Sequence, residues 1–174
     1  MTNLFEADRS TLEPLIAEIR SLARAARRRL PGSETLSTTA LVNEVYLKLT
    51  RSRSTVVEDR RHFFALAALA MREILIDDAR RRATRGRSEP CDALDLVADD
   101  ALARGLDPER LVALDQTLRA LAHVQPRLAQ VVTCRFFAGY TEAETADILG
   151  VDMRTVQRDW QRVRAWIADS TPSS

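Results

Sequence analysis

Residues 141–166, TEAETADILGVDMRTVQRDWQRVRAW, read as two short helices joined by a tight turn. Thr141 and Glu144 have the spacing of a capping box, in which the hydroxyl takes the Glu144 amide and the carboxylate reaches back. Ala143, Ala146, Ile148 and Leu149 supply a small-residue, apolar face for the first helix. Gly150 stands where that helix must stop, since glycine takes positive φ without a Cβ penalty. Asp152 is a good N-cap for the second helix. There Met153, Val156, Trp160, Val163 and Ile167 recur at three and four residues and predict one buried stripe. Arg154, Thr155, Gln157, Arg158, Gln161 and Arg162 are left for the outer side. A helix–turn–helix delivers the start of its second helix to the major groove, where Arg and Gln hydrogen-bond base edges and phosphates. A solvated helical hairpin would also carry Arg and Gln, which are good helix formers. Cap, glycine turn and basic second helix together favour DNA.

Working outward, the chain reads as helices with no strand of convincing alternation. Thr141 follows helices expected at about 109–122 and 127–138, separated by Pro126 and closed by Gly139. Asp107-Pro108 suits a helix start. Residues 88–107, SEPCDALDLVADDALARGLD, are acidic, lack a helical period and read as a linker. Before them, a helix from His62 to about Ala83 is the most apolar, beginning with Phe63 and Phe64. It ends in Arg80, Arg81, Arg82, Arg85 and Arg87, a density that favours nucleic acid, whereas the phenylalanines read as core. Thr38 to Thr50, TTALVNEVYLKLT, carries a wide apolar face of Leu41, Val42, Val45, Tyr46 and Leu49. Packing alone would explain such a stripe, and part of it could receive a partner. Ser10 and Glu13 form another capping-box pair, opening a helix to about Leu30 whose basic end suits the helix dipole. The expected fold is all-α: two small helical domains, 1–87 and 109–174, joined by an acidic linker over 88–108.

The formal net charge of +1 in 174 residues conceals a partition. Residues 1–87 carry 17 Lys/Arg against 11 Asp/Glu, and residues 88–109 carry one Arg against seven acids. A basic part followed by an acidic strip fits polyanion contacts beside a separate acidic segment. No apolar run is long enough for a membrane span, and the acidic, polar start MTNLFEADRS is no secretory signal. Cys91 and Cys134 are far apart, so a disulfide framework is not expected and a reducing cytoplasm fits. His62 and His123 make no zinc pattern with them. Asp77 and Asp78 point about 100° apart on a helix, which argues against an all-α enzyme built on them.

Taken together, TALVNEVYLKL, HFFALAALAMREILIDDARRR and TVQRDWQRVRAW, in that order around an acidic linker, resemble bacterial RNA polymerase sigma factors of the extracytoplasmic-function (ECF) group. The resemblance spans about Ser10 to Ile167. It implies an initiation factor with no chemistry, cofactor or metal of its own. Its partners would be core RNA polymerase and promoter DNA, with an anti-sigma protein as a conceivable third. It implies that Leu41, Val42, Glu44, Val45, Tyr46 and Leu49 lie on the polymerase-docking helix. Arg72, Asp77, Arg80 and Arg81 would serve the −10 element, and Arg154, Thr155, Gln157, Arg158 and Arg162 the −35 element. Ser88–Asp107 would thread toward the polymerase channel. Two positions depart from the wider group: Thr38 and Thr39 replace a run of acids, and Glu73 stands where an Asn is common. A carboxylate at 73 would be repelled by phosphate. The competing reading is an autonomous helix–turn–helix regulator, which would bind an operator without polymerase.

Overall fold

The computed structural model describes residues 9–29, 36–51, 59–85 and 108–170. Seven α-helices appear in order: α1 (Arg9–Arg29), α2 (Thr38–Arg51), α3 (Arg60–Ala83), α4 (Pro108–Val124), α5 (Pro126–Val132), α6 (Glu142–Leu149) and α7 (Met153–Ser170). A π-helical turn, Thr133–Phe137, continues α5. No strand occurs among the described residues, so the all-α expectation holds. The acidic linker, most of the polar connector after α2, and the cap residue Asp107 fall outside the description.

Helix α3 organises the packing. Phe63, Phe64, Ala67, Met71, Ile74, Leu75, Ile76 and Ala79 are all buried and point to more than one side. A helix apolar on several sides must be covered on several sides. Helix α2 covers one side of α3, with α1 on α2, while α4, the π-turn and α6 cover others. The buried apolar side chains of both halves form one continuous cluster. Helix α3 contributes to that cluster on each of these sides.

Local signals explain most boundaries. Helix α3 starts at Arg60 because Asp59 accepts the His62 amide at 2.8 Å. Ser37, whose Oγ accepts the Ala40 amide at 3.1 Å, caps α2. Helix α1 begins at Arg9, which places Ser10 inside its first turn and not at a cap. The stretch expected as one helix over 127–138 widens at Thr133, where the Ala138 amide reaches the Thr133 carbonyl at 3.1 Å. That widened turn buries Thr133, Cys134, Phe136 and Phe137 together. Gly139 follows at φ 82°.

Candidate nucleic-acid interface

Helices α6 and α7 and the turn between them form as their sequence dictates. Thr141 Oγ1 accepts the Glu144 amide at 3.2 Å, and Glu144 Oε2 accepts the Thr141 amide at 2.7 Å. Gly150 takes the left-handed conformation at φ 66°, and the Val151 amide closes on the Ala146 carbonyl at 3.0 Å. Asp152 then caps α7: Oδ1 accepts the Thr155 amide at 2.9 Å and Oδ2 the Thr155 hydroxyl at 2.8 Å. These bonds, the side-chain bond from Thr155 foremost, hold the Asp152 carboxyl below its usual range. Val156, Trp160 and Val163 are buried against α5 and α6, as the spacing predicts. Met153 is a correction: at 47% exposure it lies outside the buried stripe. Ala143 is likewise exposed, and the Ile167 side chain falls outside the described residues.

The outer side of α7 presents the five residues assigned to the −35 element in unequal states. Arg154 and Arg158 are exposed and make no ion pair among the described residues. Gln157 is exposed but donates through Nε2 to Glu142 Oε2 at 2.8 Å. Thr155 is occupied by Asp152. Arg162 lies 3.8 Å from Asp159 Oδ1 and donates to Gln125 Oε1 at 3.5 Å. The geometry therefore leaves two guanidinium groups ready for an anion, set on a helix whose start is rigidly capped.

Asp159 escaped the sequence reading. It is fully buried on the inner side of α7, where Arg127 Nε of α5 donates at 2.5 Å. The same bond raises the Arg127 pKa further above its ordinary value. An acid beside Trp160, three residues after Val156, was the available signal. Arg135 completes this wall, 4.8 Å above the Trp160 ring and 3.2 Å from Glu142.

The residues assigned to the −10 element tell a different story. Arg72 is mostly buried and faces Asp115 of α4, whose side chain is 3% exposed. Arg72 Nε donates to Asp115 Oδ1 at 3.0 Å, and Nη1 donates to Thr133 Oγ1 at 3.3 Å. Its guanidinium also sits 5.7 Å from the Phe137 ring centroid. Arg80 splits between Asp77 at 3.3 Å and Asp115 at 3.2 Å. Arg119 donates to Asp115 at 2.8 Å, and that hydrogen bond raises its pKa. Of the four, only Arg81 is exposed without an ion pair among the described residues. Asp115 was missed because it flanks the Leu111, Leu114, Leu118, Leu121 stripe and its arginine partners on α3 are distant in sequence. Glu73, the departure from the family pattern, is exposed and pairs with Lys48 at 2.6 Å.

On α2 the residues assigned to docking separate. Leu41, Val42 and Val45 are buried core, Leu49 is half-buried, and Glu44 and Tyr46 are exposed. The first three cannot touch a partner while the helix stays packed. Leu47, not singled out from the sequence, is 45% exposed and lines a groove of about 390 Å³ with Glu44, Lys48, Asp77 and Arg81. Cys134 is buried, and desolvation pushes its thiol up to about 12. Asp77 is exposed while Asp78 is buried against Arg82 at 2.9 Å, so the two acids share no site.

A family model described as ECF sigma factor matches residues 6–173. Comparison with curated proteins and with solved structures returned no match. No helix among the described residues is long and apolar enough to cross a membrane.

Proposed function

The chain belongs to the ECF sigma factor family of transcription initiation factors, and from that premise we propose how its parts divide the work. The start of α7 reads the −35 element in duplex DNA. The observation that carries this is the open pair Arg154 and Arg158 on a helix fixed by the Asp152 cap. Arginine in the major groove recognises guanine O6 and N7, and both side chains are also long enough for phosphate. Helix α3 and its basic end engage the −10 element, where opening costs unpairing and unstacking energy that cationic groups on the freed backbone offset. The exposed side of α2, with Glu44, Tyr46 and Leu47, docks core polymerase. Residues 88–107 pass toward the polymerase channel, and the work is done in the cytoplasm.

A net charge of +1 supports dependence on a large partner, since counterion release on DNA scales with the number of phosphates neutralised. Two weak readers on one polymerase gain through effective concentration. The test is binding of the full chain to bacterial core RNA polymerase in competition with a known sigma factor. Stoichiometric, competitive binding is expected. Tight binding to a palindromic operator without any polymerase association would replace this reading with the autonomous regulator. Leu47→Asp locates the docking surface: it is expected to fold normally, because the side chain is already in water, and to lose polymerase association. A folded Leu47→Asp chain that still binds polymerase removes this side of α2 from the contact.

A further inference from the structure

Two of the four side chains assigned to −10 contact, Arg72 and Arg80, are already neutralised by a single carboxylate from the other half of the chain. Arg72 is 11% exposed and Asp115 3%, so a phosphate approaching Arg72 meets α4 first. The Asp115 main-chain carbonyl adds a third contact, accepting from Arg72 Nη2 at 3.4 Å. Thr133 and Phe137 of the π-turn close the remaining sides of the guanidinium. Other ties cross between the halves nearby. Tyr140 Oη donates to the Phe64 carbonyl at 3.3 Å, and Arg61 pairs with Asp147 at 3.0 Å. Buried charges are retained only where they are paired, so this arrangement is a defined state of the free chain.

We propose that Asp115 is an intramolecular stand-in for nucleic-acid phosphate, which holds the free chain closed and exchanges with phosphate for Arg72 and Arg80 when α3 is used. The inference rests on the −10 reading of α3 proposed above. A carboxylate and a phosphate oxygen offer the same acceptor to a guanidinium, so the two compete for one site. The closed form binds nothing at Arg72, and apparent affinity falls in proportion to the open fraction. Arg81, on the same helix and unpaired, remains available for a first, weak contact. The device keeps a basic face from binding nucleic acid at large before polymerase is present.

The experiment uses the full chain without polymerase and a fluorescent single-stranded oligodeoxythymidylate. Asp115→Asn is expected to bind it about tenfold more tightly than wild type, the factor a mostly closed chain implies. Glu13→Gln, which removes one exposed acid on α1, controls for net charge and should give far less. Adding Arg72→Gln to Asp115→Asn should abolish the gain, because that guanidinium is the group released. A folded Asp115→Asn chain with wild-type affinity, or a gain that survives loss of Arg72, overturns the proposal. Should Asp115→Asn fail to fold, the exchange is read without it. Paired spin labels at Asn43 and Gln161, both exposed, go into a Cys91→Ser background where Cys134 stays buried. One distance is expected in the free chain, lengthening as oligonucleotide is added, and a distance that stays fixed throughout the titration overturns the proposal. Failure of the initiation reading shows elsewhere, as no competition for core polymerase, and would leave these distances as they are.

Discussion

Helices α3 and α7 both carry several arginines, yet the two sets live under different electrostatics. On α7, Arg154 and Arg158 stand in water on a helix stiffened by its own cap. On α3, Arg72 and Arg80 are folded into ion pairs with Asp115 and Asp77. Surface guanidinium groups cost nothing to keep and are free to bind, whereas a buried one must be paired and becomes part of the packing. In the free chain the same residue type thus stands open on one helix and is tied into ion pairs on the other. The difference lies in burial and in the acid that faces it.

The largest effect that could break this contrast is Arg72→Ala. It strands Asp115 beside Thr133 and Phe137 with only Arg80 and Arg119 as partners, both substantially exposed. Removing one partner of a buried pair typically costs about 3–5 kcal/mol, and the two remaining arginines place the expectation near the lower end. Chemical denaturation followed by circular dichroism reads it. A loss under about 1 kcal/mol would mean that water reaches Asp115 and that α3 is no more constrained than α7.

The opposite behaviour is expected on α7. Arg154→Ala and Arg158→Ala should each leave stability within about 0.5 kcal/mol, as exposed substitutions without partners do. Each should weaken −35 duplex binding by polymerase holoenzyme about tenfold, equivalent to roughly 1.4 kcal/mol. Polymerase association should survive. If either variant instead destabilises the chain as Arg72→Ala does, the distinction between reader and tie disappears.

What the sequence made legible follows the same division. The turn from Thr141 to Asp152 was readable because caps and a left-handed glycine act within three or four residues. The burial of Phe63, Phe64, Val156, Trp160 and Val163 was readable from periodicity. The cover of the α2 stripe was less so. An apolar stripe reports that something covers it, not whether the cover is α1, α3 or another protein, and here α1 and α3 cover Leu41, Val42 and Val45. Asp115 and Asp159 were hard to read because their main partners are arginines 32 to 43 residues away. The π-turn has no local signature in TCRFF, and its widening serves to bury both phenylalanines.

A smaller effect tests how far local caps hold α6 and α7 in place. Thr141→Ala removes the hydroxyl from the α6 capping box and should cost about 1 kcal/mol. The Asp152 cap can be probed without mutation, by acid. Its carboxyl is held below the ordinary value of 3.8 by the Thr155 hydroxyl and amide, so the folded chain prefers it ionised more strongly than the unfolded chain does. A group with a depressed folded pKa contributes stability above its unfolded pKa and loses it as pH falls through the folded value. The cap's contribution should therefore be intact at neutral pH and fade below about pH 4. Asp152→Asn keeps a capping oxygen but no charge, so its stability relative to wild type should converge as the pH is lowered through that window. A gap between the two proteins that stays constant from pH 6 to pH 3 would mean that the charge contributes nothing. The position of Arg154 and Arg158 would then rest on the buried contacts of Val156 and Trp160 instead.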